Sequence, residues 1–267
     1  MRRLLLSIMA VAAILFPPLA LAGGARVAPD FSLNPKELRA MISTLPPAIQ
    51  DRILARPEAF FHLIAQVLDE PADLFILVDK SHPLDADYEP PDLVSLAAYR
   101  LSASRDDIQL RKSIMPAVVE MAGAALADGA ALIFSSGYRS YEYQSAVYDR
   151  EVKAYGREAA ERESARPGMS QHQLGTAVDF GSITDAFAET RAGKWLLAHA
   201  EEYGFSLSYP QGYEKVTGYR WESWHYRFIT KPGALLQKEF FQDIQQYLLE
   251  FLDSHRAALE AKRVKAR

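Results

Sequence analysis

Two histidines of this chain stand in sequence contexts that could do metal chemistry. His172 lies in the string SQHQLGTAVD, seven residues before Asp179, and His225 lies in WESWHYR. Two imidazoles and one carboxylate suffice as the protein ligands of a catalytic zinc ion, with the fourth position left for water. The chain has no cysteine, so any metal here is held by His, Asp or Glu. Spacing alone favours equally a plainer interpretation, in which Asp179 caps a turn and His225 packs on Trp224.

A carboxyl group near this candidate centre could serve as its base. A zinc ion with these ligands leaves a net charge of about +1, which helps water to lose a proton near neutral pH. Glu222 stands three residues before His225. On a straight strand, residues three apart point to opposite faces. Glu222 can therefore reach the centre only if the chain turns between the two residues.

The other four histidines lack such a context. His62, His199 and His255 lie inside helical patterns, and we interpret them as packing or surface imidazoles. His82 lies in a loop rich in Pro and Asp, and we interpret it as a solvated side chain.

The composition of the 267 residues is that of a folded globular protein. With 49% hydrophobic and 24% charged residues, it excludes collagen-like and largely disordered chains. Thirty Lys and Arg against 34 Asp and Glu give a net charge of −4, so binding to nucleic acid has no electrostatic support. The absence of cysteine excludes a disulfide scaffold, cysteine-ligated zinc, iron–sulfur clusters and a thiol nucleophile.

The first 22 residues have the layout of a secretory signal peptide. Arg2 and Arg3 precede an apolar run of 13 residues, 4–16, and the small residues at 20–22 predict cleavage after Ala22. The run falls short of the roughly 20 residues that span a bilayer, although an uncleaved N-terminal anchor is the alternative. We therefore expect a periplasmic or secreted protein with no membrane span after cleavage. Residues 23–33 are expected to be a flexible lead.

Helix and strand patterns follow one another irregularly, with no strand–helix–strand rhythm and no glycine-rich phosphate loop. This predicts an α+β fold, in which helices pack around a small antiparallel sheet that carries the zinc site, with extra helices at both ends. The predicted strands are 74–79, 131–135, 176–180, 205–209 and 224–229. The predicted helices are 35–45, 48–55, 58–68, 106–127, 141–155, 186–203 and 235–259. Pro116 is expected to kink or divide the fourth helix, and 157–169 is expected to be a loop.

Four strings, in this order, resemble the VanY-type D-alanyl-D-alanine carboxypeptidases: SSGYRSYEYQ (135–144), PGMSQHQLGTAVDF (167–180), GFSLSYP (204–210) and ESWHYRF (222–228). The string LVDKSHPLDADYEPPDLV (77–94) is similar to the opening segment of the same family. These are zinc peptidases that share their fold with lysostaphin and the hedgehog signalling domain. The resemblance covers roughly residues 74–230 and leaves out the helices at both ends.

The resemblance implies a role for each residue that matches the family pattern. It makes His172, Asp179 and His225 the ligands of one zinc ion per chain. It makes Glu222 the catalytic base. It also makes Arg139 the cation that meets the carboxylate of the substrate or the developing oxyanion, a task that suits the paired N–H groups of a guanidinium.

Three further residues are candidate substrate contacts. The resemblance makes Gln144 a neighbour of Arg139 in substrate binding. It makes Ser170 either a substrate contact or a support for the first ligand. Trp224, next to a ligand, either walls the pocket or belongs to the ordinary core.

The chain departs from the family pattern at a few positions. Gln171 stands where the family often has an acidic residue, and Ser208 stands where it often has Arg. The string WESWH replaces the usual YEPWH. No ligand or base is lost, but Ser208 leaves open whether the bond cut is D-Ala–D-Ala or an L–D bond in a trimmed stem peptide.

The resemblance implies a zinc carboxypeptidase that removes the C-terminal D-amino acid from peptidoglycan stem peptides. An L,D-carboxypeptidase, a cross-link endopeptidase and a non-catalytic wall-binding module are the alternatives. The substrate peptide is an expected partner and nucleic acid is not, while protein partners are left open by the sequence. We divide the chain into a signal peptide (1–22), an N-terminal helical region (23–72), a zinc peptidase domain (73–232) and a C-terminal helix with a basic tail (233–267).

Overall fold

The computed structural model describes residues 26–264, as helices packed around two small antiparallel sheets, and this confirms the α+β prediction. The predicted signal peptide lies outside the described residues. The helices are α1 Pro35–Met41, α2 Pro47–Ala55, α3 Pro57–Asp69, α4 Met115–Ala127, α5 Tyr141–Tyr155, α6 Arg157–Glu163, α7 Arg191–His199, α8 Glu214–Thr217, α9 Lys231–Phe240 and α10 Gln245–Lys262. The strands are β1 Leu93–Ser95, β2 Gln109–Arg111, β3 Phe134–Ser136, β4 Ala177–Phe180, β5 Phe205–Leu207 and β6 His225–Phe228. Within residues 26–264, no helix has the length and hydropathy needed to cross a bilayer.

The larger sheet has the strand order β3-β4-β6-β5, and each strand is antiparallel to its neighbours. In the central pair, Asp179 of β4 lies opposite His225 of β6. Side chains alternate between the faces of a strand, so Val178, Phe180 and Tyr226 point to the other face, where they join the hydrophobic core. The sheet thus has one face for packing and one for the candidate centre.

Local sequence signals predict several helix ends correctly. The Asn34 side chain accepts hydrogen bonds from the backbone N–H groups of Lys36 and Glu37 and so begins α1. Ser140 caps α5 in the same way, and α5 ends before Gly156. Arg139 directly precedes Ser140, so this cap also fixes the backbone position of Arg139, the candidate cation, just before the start of α5.

The predicted strand at 74–79 is wrong. Residues 72–75 form a 3-10 turn, and the segment that follows pairs with no strand among the described residues. The backbone carbonyls of Leu74 and Ile76 instead accept hydrogen bonds from Nη2 of Arg227, at 3.1 and 2.8 Å. The apolar run is buried as predicted, but a side chain satisfies its backbone in place of a neighbouring strand.

Three predicted elements are divided differently in the structure. The helix predicted at 106–127 begins only at Met115, with Pro116 in its first turn, where a missing N–H is tolerated, and residues 109–111 form β2. The predicted loop 157–169 contains α6. The helix predicted at 186–203 is interrupted at Thr190, whose side chain caps α7.

The two ends of the described chain pack against each other and against the rest of the core. The Phe60 ring of α3 lies with its centre 5.2 Å from that of Phe240 in α9 and 5.8 Å from that of Phe251 in α10. The expectation of a flexible lead is wrong for residues 26–33, because Val27 and Phe31 are buried in the same core cluster. A continuous apolar core therefore connects both sets of terminal helices with the sheet.

The predicted C-terminal helix at 235–259 is two helices. The helix is interrupted between α9 and α10, where Gln242 and Asp243 have φ angles of 57° and 60°. This left-handed pair interrupts the helical path, and α10 begins at Gln245, a buried residue. The break brings the start of α10 back to the sheet.

Candidate active site

The structure brings His172, Asp179 and His225 together in one buried cluster. One ligand atom from each residue lies within 4.8 Å of the others. His172 Nε2 is 3.1 Å from Asp179 Oδ2, and His225 Nδ1 is 3.0 Å from Asp179 Oδ1. Asp179 and His225 meet because they are opposite each other in the sheet. His172 lies in a 3-10 turn, 171–174. This turn ends at Gly175, whose φ is 65°.

The His172 ring is oriented by a hydrogen bond on its far side. Its Nδ1 lies 2.6 Å from the carbonyl oxygen of Gly137, which can only accept, so Nδ1 carries the proton. The lone pair on Nε2 then faces Asp179. Within residues 26–264, neither Nε2 of His172 nor Oδ1 of Asp179 has a hydrogen-bond partner. Buried acceptors left without a partner on two neighbouring ligands fit a cation that both would bind.

His225 is oriented in the same manner but through its other nitrogen. Its Nε2 lies 3.2 Å from Oε1 of Gln171, which leaves the Nδ1 lone pair for Asp179 and a metal. Two imidazole nitrogens and one carboxylate, each backed by a hydrogen bond or charge, match the open zinc sites of hydrolases.

The electrostatics of the cluster favour the protonation states that bind a cation. Burial lowers the pKa of His172 to about 4, and the positive charge of Arg139 acts in the same direction. Burial works against ionisation of Asp179, whereas the guanidinium of Arg139, 3.7 Å from Oδ2, favours the ionised carboxylate. At neutral pH His172 is therefore neutral and Asp179 is ionised, as metal ligation requires.

Glu222 reaches the cluster because the chain turns between Glu222 and His225. The backbone N–H of His225 donates to the carbonyl oxygen of Glu222 at 3.3 Å, which closes the turn. Oε2 of Glu222 then lies 3.6 Å from Nδ1 of His225. Burial, reinforced by the negative charge of Asp179, raises the pKa of Glu222 well above its usual range. A carboxyl with a raised pKa holds a proton more strongly and so is a better base near neutral pH.

Arg139 lies in the turn between β3 and α5, and its side chain extends to the cluster. Its Nη2 is 3.7 Å from Oδ2 of Asp179, and its backbone N–H donates to the carbonyl oxygen of His172 at 3.2 Å. Its Nε contacts no acceptor in the part of the chain that the structure describes. The guanidinium is therefore held at the centre with donor capacity left for a ligand.

Two cavities adjoin at the centre. They share the side chains of Arg139, Glu163, Ser164 and Glu222. The larger, about 500 Å³, reaches the cluster on the Asp179 side, between α5, α6 and Trp224. The smaller, about 50 Å³, reaches it on the side of the two imidazoles. The space around the centre is thus strongly asymmetric.

The three candidate substrate contacts lie at these cavities. Gln144 and Ser170 line the small cavity, and Trp224 lines the large one. The Gln144 amide donates to the Ala165 carbonyl at 2.6 Å, and its Oε1 lacks a partner among residues 26–264. Ser170 accepts a hydrogen bond from the backbone N–H of His172 at 3.3 Å, so it supports the first ligand. Their roles toward a substrate stay predictions.

Sequence reasoning missed three residues at or behind the centre. Tyr209 and Tyr219 line the small cavity, and the ring centre of Tyr209 is 4.8 Å from that of His225. Gln245 of α10 contacts Gln171 behind His225, at 3.2 Å. The GFSLSYP string already contained Tyr209, whereas no spacing in the sequence points to Tyr219 or Gln245.

The remaining histidines stay outside the centre, as interpreted from the sequence. His62 contacts Gln66, His199 contacts Glu202, and His255 packs on Phe251. His82 contacts the carboxylate of Asp79 at 2.8 Å in its loop. Among the described residues, the cluster of His172, Asp179 and His225 is the group of potential ligands close enough to hold a metal ion.

A His₂Asp cluster on a small antiparallel sheet, with a buried glutamate and an arginine beside it, defines the centre of a metallopeptidase. Comparison with known proteins agrees: residues 107–231 match the family model described as VanY, D-alanyl-D-alanine carboxypeptidase. The putative carboxypeptidase YodJ of Bacillus subtilis (strain 168) is 33% identical over 195 residues, which cover 68% of this chain and 71% of that protein.

Two solved structures have a similar fold. The LdcB LD-carboxypeptidase matches with a TM-score of 0.59 and 33% identity, over 67% of this chain and 86% of that chain. The D,D-pentapeptidase VanY of a VanB-type resistance cassette, a glutamate-to-alanine mutant in complex with Zn(II), matches with a TM-score of 0.54 and 32% identity, over 67% of this chain and 99% of that chain. The chain belongs to the VanY family of D-alanyl-D-alanine carboxypeptidases.

The substitution Gly137→Ala should weaken zinc binding. A Cβ added at residue 137 would lie 2.4 Å from the backbone oxygen of Gln109, so the backbone must shift and take with it the carbonyl that orients His172. We expect zinc affinity to fall about tenfold or more, the usual loss when the partner of a ligating histidine is disturbed. Competition with a chromophoric chelator measures it.

The matched control is Gly123→Ala in α4, where an added Cβ meets no atom within 4 Å. This variant should keep its zinc affinity and gain about 0.5–1 kcal/mol of stability, because alanine is the better helix former. Equal zinc affinities for the two variants would show that the Gly137 carbonyl does not orient His172.

Proposed function

We propose that this protein is a zinc carboxypeptidase that removes the C-terminal D-alanine from peptidoglycan stem peptides. The observation that carries the proposal is the convergence of His172, Asp179 and His225 on one point with Glu222 turned toward it. The likeness to a D,D-pentapeptidase that binds Zn(II) supports both the metal and the reaction.

Each step of hydrolysis has a residue in place. Zinc held by the three ligands would polarise the scissile carbonyl and make water acidic enough to lose a proton near neutral pH. Oε2 of Glu222 takes that proton and delivers it to the nitrogen of the leaving D-alanine. Arg139 donates two parallel N–H bonds to the terminal carboxylate, or to the oxyanion as its charge develops.

The asymmetric cavities support a carboxypeptidase over an endopeptidase. An endopeptidase must accommodate peptide on both sides of the scissile bond, whereas a carboxypeptidase needs room for one residue beyond it. The small cavity, about 50 Å³ against about 500 Å³, leaves room for only a small residue on its side of the centre. Arg139, Gln144 and Tyr219 line it and offer polar groups to a carboxylate.

An L,D-carboxypeptidase is the second candidate, because LdcB, an LD-carboxypeptidase, has a similar fold. Ser208 does not bear on this choice in the way its departure from the family pattern suggested. It is buried behind His225, where it donates to Gln171 at 2.7 Å, and it lines neither cavity. A non-catalytic wall-binding role is not favoured, because all three ligands and the base are in place.

We further propose that the enzyme works outside the cytoplasm, in the periplasm or as a secreted protein. The signal-like layout of residues 1–22 supports this location. Peptidoglycan stem peptides are also found on that side of the membrane.

Products released from defined muropeptides test the proposed reaction. We expect free D-alanine and a tetrapeptide from a stem pentapeptide that ends in D-Ala-D-Ala. Free D-alanine released from a tetrapeptide but not from the pentapeptide would replace the D,D assignment with L,D. Conversion of a cross-linked dimer to monomers without free D-alanine would establish an endopeptidase instead.

The substitution Glu222→Gln should abolish proton transfer without disturbing the metal ligands. We expect one zinc ion per chain by metal analysis, together with a fall in kcat of at least about a hundredfold, the lower end for loss of a general base. Glu202→Gln, which alters an exposed carboxyl paired with His199, is the control and should change neither quantity. Undiminished turnover by Glu222→Gln would overturn the mechanism.

The substitution Tyr219→Phe should weaken substrate binding. The Tyr219 hydroxyl is buried in the small cavity and lacks a hydrogen-bond partner among the described residues, so it is available to the terminal carboxylate. Burial raises the pKa of Tyr219 further above its usual value, so the hydroxyl keeps its proton at neutral pH and stays a donor. We expect kcat/KM for the pentapeptide to fall about tenfold, as for loss of a hydrogen bond to a charged group.

Tyr226→Phe is the matched control for this variant, because Tyr226 is buried on the opposite face of the same sheet. It should leave kcat/KM unchanged. Equal values for Tyr219→Phe and the unaltered enzyme would mean that the terminal carboxylate does not occupy the small cavity.

A further inference from the structure

Three buried polar side chains lie behind the ligand His225, on the side away from Asp179. Gln171 Oε1 is 3.2 Å from Nε2 of His225 and accepts the Ser208 hydroxyl at 2.7 Å. Gln171 Nε2 donates to Oε1 of Gln245 at 3.2 Å, and Gln245 Nε2 donates to the backbone oxygen of Ser206 at 3.4 Å. All of these residues are at most 5% exposed. They form a continuous chain of hydrogen bonds from strand β5 to the metal ligand.

The backbone oxygen of Ser206 gives this chain its direction. A carbonyl can only accept, so the Gln245 amide must present its NH₂ to Ser206 and its oxygen to Gln171. Gln171 must then present its NH₂ to Gln245 and its oxygen to His225. His225 in turn must carry its proton on Nε2. Each orientation follows from the one before it, because a buried amide turned the other way would set like groups against each other.

Gln245 is the member that prevents the opposite orientation. The Ser208 hydroxyl can donate or accept, so it follows the Gln171 amide and does not set it. Without the oxygen of Gln245, the Gln171 amide could turn its NH₂ toward His225. The favoured tautomer of His225 would then carry its proton on Nδ1, the atom that faces Asp179.

We propose that Gln245 is a positioning residue for the metal centre, acting through Gln171 to keep the Nδ1 lone pair of His225 directed at the metal. Gln245 is the first residue of α10 and lies outside residues 107–231, which match the family model. The C-terminal helix is therefore part of the outer support of the centre. This inference rests on the zinc site of the proposed function but not on its substrate.

The substitution Gln245→Met tests the proposal, since methionine has a similar length but cannot accept from Gln171. We expect zinc affinity, measured by competition with a chelator in the absence of any peptide, to fall about tenfold to a hundredfold. The matched control is Gln246→Met. Gln246 is also buried in α10, but it donates to Asp79 and Glu250, away from the centre. It should lower thermal stability and leave zinc affinity unchanged.

Two further measurements separate a positioning role from a general loss of packing. The first is the ¹⁵N spectrum of the metal-free protein, in which His225 should be the Nε2–H tautomer and should become a mixture in Gln245→Met. The second is the double variant Gln171→Met/Gln245→Met, which should bind zinc no more weakly than Gln171→Met alone, because the two act in one chain.

An Nδ1–H tautomer in the unaltered protein would overturn the proposal even if the variants failed to fold. So would equal zinc affinities for Gln245→Met and Gln246→Met. Neither result involves a peptide, so either would leave the carboxypeptidase assignment standing. Conversely, a protein that released no D-alanine could still show the expected tautomer and zinc affinities.

Discussion

The register of β4 against β6 is the constraint on which the centre depends. It sets Asp179 directly across from His225, and a shift by one residue would send one of the two to the core face. The packing of Val178, Phe180 and Tyr226 on that other face resists such a shift, since the strand that moved would have to take its own apolar side chains out of the core. The geometry of the metal ligands is thus maintained by apolar side chains that never touch the metal.

The charges around the centre are arranged to balance with a cation present. Asp179 is ionised and Arg139 is a cation beside it, while the raised pKa of Glu222 shows the cost of a second buried carboxylate. A divalent ion on the ligands would add positive charge next to Glu222 and favour its ionised form. Binding of the metal and readiness of the base are therefore coupled through the electrostatics of one buried cluster.

The sequence predicts the centre better than it predicts the elements that carry it. His172, Asp179, His225 and Glu222 could be found because their residue types and their order resemble one family. The break at Gln242 and Asp243 could not be found, because neither residue is a glycine or proline and the apolar pattern continues through it. For the same reason Gln245 looked like one polar residue of a long helix. Tyr219 was missed because its importance comes from a hydroxyl without a partner, which only three-dimensional packing reveals.

Arg227 of β6 shows how far the centre extends along the chain. It stands two residues after His225, is fully buried, and donates to the carbonyls of Leu74 and Ile76. Burial lowers the pKa of Arg227 to about 10, and neither its Nε nor its Nη1 has a hydrogen-bond partner in the described chain. Trimming the protein to residues 107–231 would remove those carbonyls and leave the buried guanidinium without these two acceptors, on the same face of the sheet as His225. The minimal catalytic unit therefore includes residues 74–76, well upstream of the residues that match the family model.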